Sequence, residues 1–174
     1  LMSATSHVSR VPIEGKGPFV LAASDAALPV ADKMRSQGSA CLRVSGASMV
    51  PWIRSGDFVF IRRCDFAKIS AGDVIVFQRS GLVVVHRAIR RVDGAASEKT
   101  ASLLITKGDA CDEEDAPVSA AEFLGRATRL HRGRRHIDLE SLTQKLLGRL
   151  LARASRLSRV IYFPLRFSKR LLFD

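Results

Sequence analysis

A serine on a tight turn can act as a nucleophile when its hydroxyl is exposed and its own backbone N–H is free to bind an oxyanion. Such a turn is written at Val44-Ser45-Gly46-Ala47-Ser48-Met49-Val50-Pro51. An apolar run, Cys41–Val44, leads into it, a glycine sharpens it, and Pro51 directs an extended exit. Ser and Gly are also everyday turn residues, so the reading gains weight only from residues downstream of Ser48. His86 lies within Val83-Val84-Val85-His86-Arg87. On a strand it shares a face with Leu82 and Val84, while Arg87 points to the other side. An imidazole, with a reference pKa near ~6.5, is mostly neutral at neutral pH and can take the proton of a serine; a histidine at a core edge is the plainer alternative. Thr106-Lys107-Gly108-Asp109 then closes a strand and opens an acidic loop that ends at Asp115. A carboxylate there, bonded to His86, would fix its tautomer and stabilise the imidazolium. The loop also reads as a solvated acidic surface or a weak cation site, although its spacing does not fit an EF-hand.

These residues need a scaffold, and the pattern from Cys41 onward is β. Short runs rich in Val, Ile and Phe follow Gly-Asp turns: Ser55-Gly56-Asp57 before Phe58–Ile61, and Ala71-Gly72-Asp73 before Val74–Phe77. Gly81 precedes the long run Leu82–Val92, a polar loop at Asp93–Thr100 leads to Leu103–Thr106, and a last strand is expected at Phe123–Leu130. Strands this short at near-regular spacing predict a small antiparallel sheet system or partial barrel. Upstream, residues 1–38 read as an arm, irregular at first, with a short helix over Asp25–Gln37 that breaks at Pro29 and ends at Gly38. The core is expected over 39–132 and a helical tail over 133–174. In that tail Leu139, Leu142, Leu146, Leu150, Leu157 and Ile161 fall on one helical face, flanked by Lys145, Arg149, Arg156 and Arg159.

The ordered set Ser45-Gly46-x-Ser48-Met49-x-Pro51, Gly56-Asp57, Gly72-Asp73-Val74, His86-Arg87 and Lys107-Gly108-Asp109…Asp115 resembles the signal peptidase I superfamily of S24/S26-like serine peptidases, which includes the self-cleaving LexA-like repressors. The resemblance spans about residues 41–130. It implies a mainly β fold, a coiled β-sheet catalytic core, here followed by a C-terminal amphipathic helix. It also implies a serine endopeptidase that needs no metal or organic cofactor. The bacterial-type enzymes and repressors use a lysine base; with His86 at that position the chain looks like the histidine branch of endoplasmic-reticulum and archaeal signal peptidases. Carried over, Ser48 is the nucleophile, His86 the general base and Asp115 the orienting carboxylate, with Asp109 supporting it. Ser45 and Gly46 belong to the substrate and oxyanion turn, and Met49 and Pro51 shape the wall beside the nucleophile. The chain departs from the signal peptidases in having Gly46 two residues before Ser48, a repressor-like spacing that leaves the oxyanion hole to backbone N–H groups. It departs also in Cys111-Asp112 after Lys-Gly-Asp, and no stretch of the given sequence reads as the membrane anchor expected of a signal peptidase.

Charge belongs to the far end of the chain. Of a net +11 over 174 residues, +8 falls in residues 131–174. A basic amphipathic stretch there either docks on the sheet or lies in a membrane interface over residues 139–173, and peripheral membrane contact is the expectation. Nucleic acid is disfavoured as a partner, because residues 1–40 are too short and irregular for a helix-turn-helix. No run reaches the roughly 20 apolar residues of a spanning helix. Cys41, Cys64 and Cys111, odd in number and without metal-ligand spacing, suit a reducing compartment, hence the cytoplasmic side. The expected substrate is an extended signal or leader peptide. The alternative is a weak or inactive member of the fold serving as a membrane- or nucleic-acid-binding regulatory module.

Overall fold

The computed structural model describes residues 20–22, 27–93 and 102–161. The expectations for the start of the N-terminal arm, most of the polar loop before Ser102 and the end of the chain from Tyr162 lie outside the described residues. Within them, eight strands form one sheet: β1 (Val20–Ala22), β2 (Ser39–Arg43), β3 (Phe58–Arg62), β4 (Val74–Arg79), β5 (Leu82–Asp93), β6 (Ser102–Lys107), β7 (Phe123–Arg132) and β8 (Arg135–Asp138). Their order is β1-β2-β3-β7-β4-β5-β6, with β8 added to β7. Every pairing is antiparallel except β1 with β2. The fold is therefore mainly β with a C-terminal helix.

The apolar run of β4 is buried on both faces, as an unbroken Val-Ile-Val-Phe stretch requires. Val74 and Val76 face one core with Leu42, Ile53, Val59, Val83 and Leu130. Ile75 and Phe77 face a second, smaller core with Ile69, Ala88, Leu104 and Val118. Register shifts between Phe60 and Ile61, Val76 and Phe77, and Ala88 and Arg90 bend the sheet between these two cores. The two Gly-Asp turns share one device. Gly56 and Gly72 adopt φ of 90° and 99°, and the following aspartates accept hydrogen bonds from the backbone N–H three residues back, Arg54 to Asp57 at 2.8 Å and Ser70 to Asp73 at 2.9 Å.

Helix α1 (Ala27–Gln37) runs unbroken through Pro29, contrary to the expected break. Pro29 sits in the first turn, where backbone N–H groups have no partner within the helix and a proline removes nothing. Gly38 ends the helix with φ 66°, donating its N–H to the Met34 carbonyl at 3.1 Å.

Past Gly133 the chain does not turn helical at once. Gly133, at φ 56°, makes a two-residue turn with Arg134, so that Arg132 pairs with Arg135 and β8 folds back on β7. Leu139, expected on the tail helix, instead continues the extended segment, donates its N–H to the Thr128 carbonyl and packs on the larger core. Helix α2 begins only at Leu142 and runs to Ile161. Its docked side holds Gly148 and the fully buried Ala152, whereas Leu142, Leu146 and Leu150 are exposed.

The reason is a backbone contact: a Cβ on Gly148 would lie 2.6 Å from the Gly72 carbonyl oxygen, and a Cβ on Gly72 2.6 Å from the Arg149 nitrogen. Only a glycine pair lets α2 approach the turn so closely. Gly148→Ala is accordingly expected to destabilise by about 1–3 kcal/mol through forced displacement, although alanine is intrinsically the better helix former by about 1 kcal/mol. Urea unfolding measures the sign.

Candidate active site

The end of β2 delivers the Ser48 turn, the middle of β5 delivers His86, and the loop after β6 delivers Asp115. The Ser48 hydroxyl lies 3.0 Å from His86 Nε2, and His86 Nδ1 lies 2.6 Å from the Asp115 carboxylate. A carboxylate can only accept from a ring N–H, so Nδ1 carries the proton, and the Nε2 lone pair accepts from the Ser48 hydroxyl. Thr106 donates its hydroxyl to the same Asp115 oxygen at 2.6 Å, and its carbonyl accepts the Asp115 N–H. Among the described residues no acceptor takes the N–H of Ser48.

Burial alone would raise the Asp115 carboxyl. The hydrogen bonds from His86 and Thr106, with the nearby charge of Arg79, outweigh it and hold the group below the ordinary carboxylate range. The folded value being depressed, its contribution to stability is present above the ordinary carboxylate pKa and lost as pH falls through the folded one. Burial, and then the Asp115 charge, pushes the Cys111 thiol up, so it stays protonated at neutral pH beside Ser48 and offers no rival nucleophile.

The Lys-Gly-Asp segment has a steric logic. A Cβ on Gly108 would lie 2.7 Å from the Ser48 carbonyl oxygen, 3.0 Å from Ser48 Cβ and 2.6 Å from Cys111 Sγ. Glycine there lets the loop close on the back of the Ser48 turn, where Ala110 donates its N–H to the Ser48 carbonyl at 2.7 Å. Asp109, expected to support Asp115, does something else. It takes a two-pronged ion pair from Arg87, at 2.7 and 2.6 Å, and makes no bond to His86. The cause is strand alternation: Arg87 points to the face opposite His86, where it also donates to the Gly72 carbonyl at 2.9 Å.

Arg87, Thr106 and Arg79 are the residues that sequence reasoning did not assign. Arg87 adjoins His86 and Thr106 adjoins Lys-Gly-Asp, so both stood within quoted motifs; nothing local marks Arg79. From the end of β4, Arg79 donates to the carbonyls of Ala116 and Pro117, each at 2.8 Å, and to Glu122 at 2.8 Å. It clamps the loop just past Asp115. The Arg79 bond holds Glu122 down at about 2, so this contribution to stability is present above about pH 4.5 and lost as pH falls toward 2. Arg79→Ala is expected to lower kcat by about 10²-fold through misplacement of Asp115, and to flatten the loss of stability between pH 4.5 and 2. Steady-state kinetics and acid titration of unfolding check the two parts.

Beside Ser48 opens a cleft of about 410 Å³ lined by Leu42, Val44, Gly46, Met49, Ile53 and the first half of β5. Met49 is 2% exposed and joins the cleft floor to the larger core. Ser45 and Gly46 form the rim, Gly46 at φ 94°. Pro51, expected on this wall, does not line the cleft. The turn carries it past Ser48 to a second cavity, about 330 Å³, between the sheet and α2. Its neighbour Trp52 is held there through its carbonyl by Arg132, which also grips Asp57 at 2.9 and 2.7 Å.

A hydroxyl, an imidazole and a carboxylate joined in that order beside an apolar cleft, on a mainly antiparallel sheet, define the class of serine-type peptidases. The family model described as Peptidase S24-like matches residues 14–128. With more than half its length matched, the chain belongs to the peptidase S24-like family. No curated protein matches it.

Proposed function

We propose that the chain is a serine endopeptidase of the histidine-base type. Ser48 attacks the scissile carbonyl, His86 takes the hydroxyl proton at Nε2 and returns it to the leaving amine, and water resolves the acyl-enzyme by the same route. Asp115 keeps the proton on Nδ1 and stabilises the imidazolium; the Ser48 N–H faces the developing oxyanion. The observation that carries this reading is the double contact of His86, 3.0 Å to Ser48 and 2.6 Å to Asp115.

The substrate would be a precursor or leader segment in extended form. Residues Leu82–His86 of β5 pair with β4 on one side, whereas β6 joins the other side only from Arg87 onward. Among the described residues, that half of β5 presents an open edge along the cleft, suited to a peptide added as a strand. The resemblance to signal peptidases favours small side chains before the cut. The test is a panel of peptides with alanine around the cut, incubated with wild type, Ser48→Ala and His86→Ala. Cleavage by wild type alone supports the proposal. Equal rates in all three folded proteins would sink it.

A further inference from the structure

We infer that the outer face of α2 docks on an anionic phospholipid surface. Leu142, Leu146 and Leu150 recur every fourth residue and are 80%, 58% and 60% exposed, so they form one row on the helix. The opposite side is already committed to the sheet through Gly148 and Ala152. The row is thus not the core-facing face of an amphipathic helix. It is a second apolar face, turned outward.

Charge selects what covers it. Arg149 and Arg153 are exposed at the flank of the leucine row, and α2 contains no acidic residue anywhere from Leu142 to Ile161. Of the two carboxylates just before it, Glu140 is engaged by Arg62 and Arg126, and Asp138 accepts the Glu140 N–H. A second copy of the same helix would meet these arginines with its own and offer no acid in return. Nucleic acid would answer the arginines, but a phosphate backbone gives leucines no apolar contact. An anionic bilayer answers both at once, with acyl chains beneath the leucines and phosphates and carboxylates around the arginines. Among the described residues no helix is long and apolar enough to cross a membrane, so the contact lies along the surface.

The experiment is co-sedimentation of the full chain with vesicles of phosphatidylcholine, with and without phosphatidylserine. The result expected is binding that requires phosphatidylserine and weakens with salt. It should fall at least ~10-fold in Leu146→Gln/Leu150→Gln and about 25-fold in Arg149→Gln/Arg153→Gln, each basic residue near such a surface contributing about fivefold. Both variants alter exposed positions, and circular dichroism should show α2 intact. Absence of binding to either vesicle, or binding that the leucine changes leave untouched, overturns the inference. So does a wild-type dimer in solution that the leucine changes dissolve, which would make a second copy the occupant, or duplex DNA binding without vesicle binding.

Discussion

Ser48→Ala should lower kcat on any peptide the wild type cleaves by about 10⁴–10⁶-fold. On the proposed mechanism the reacting oxygen is lost, and the neighbouring Cys111 thiol, kept protonated by burial, does not take its place. His86→Ala should cost nearly as much, and the double variant little more, because groups that act as one unit do not contribute additively. The turn itself should survive. Its main chain is held by Ala110 through the Ser48 carbonyl and by the fit against Gly108, none of which involves the hydroxyl. KM and the thermal midpoint should therefore stay near wild type while kcat falls. Product formation under single-turnover conditions is the measurement. A Ser48→Ala protein as fast as wild type would place the nucleophile elsewhere.

The second large effect concerns stability. Arg87 and Asp109 are each only 7% exposed at the side chain and meet through both guanidinium prongs. Asp109→Ala leaves a buried guanidinium with only the Gly72 carbonyl to answer it, and removal of one partner from such a pair costs about 3–5 kcal/mol. Arg87→Met/Asp109→Leu, which removes both charges and fills the space, should recover most of that loss. Urea unfolding of the two variants at neutral pH separates the cases. A cost under about 1 kcal/mol for Asp109→Ala would mean that water reaches the pair and screens it. Activity should fall with Asp109→Ala as well, since the Asp109 loop packs on Ser48 through Gly108.

Much of this scaffold could be read from the chain because its strands are punctuated. Gly-Asp turns stand immediately before β3 and β4, and each turn closes on itself through a local carboxylate bond, so the signal and its physical cause lie within four residues. Ser48, His86 and Asp115 were legible as residue types in an ordered set, and the register of β5 against β4 and β6 supplies the distances that spacing alone cannot. What stayed hidden was long-range choice. Strand alternation sends Arg87 away from His86 but does not name Asp109 as its partner. The leucine period of α2 shows which residues share a face but not which face meets the sheet, and a glycine contact overruled the leucines. The hairpin that carries β8 rests on Gly133 alone, too slight a mark against the helical pattern downstream of it.

The place of β7 has a bearing on how this protein comes into being. Among the described residues, strands β1–β3, which lead into and out of the Ser48 turn, and strands β4–β6, which carry His86 and lead to Asp115, are joined in the sheet only through β7. That strand is the seventh of the eight described, so the middle of the sheet is the part that leaves the ribosome late. Until it does, the two halves share no continuous backbone ladder. Order of synthesis and order in space thus run against each other, and the emerging polypeptide has the serine in one unfinished half and the histidine in the other.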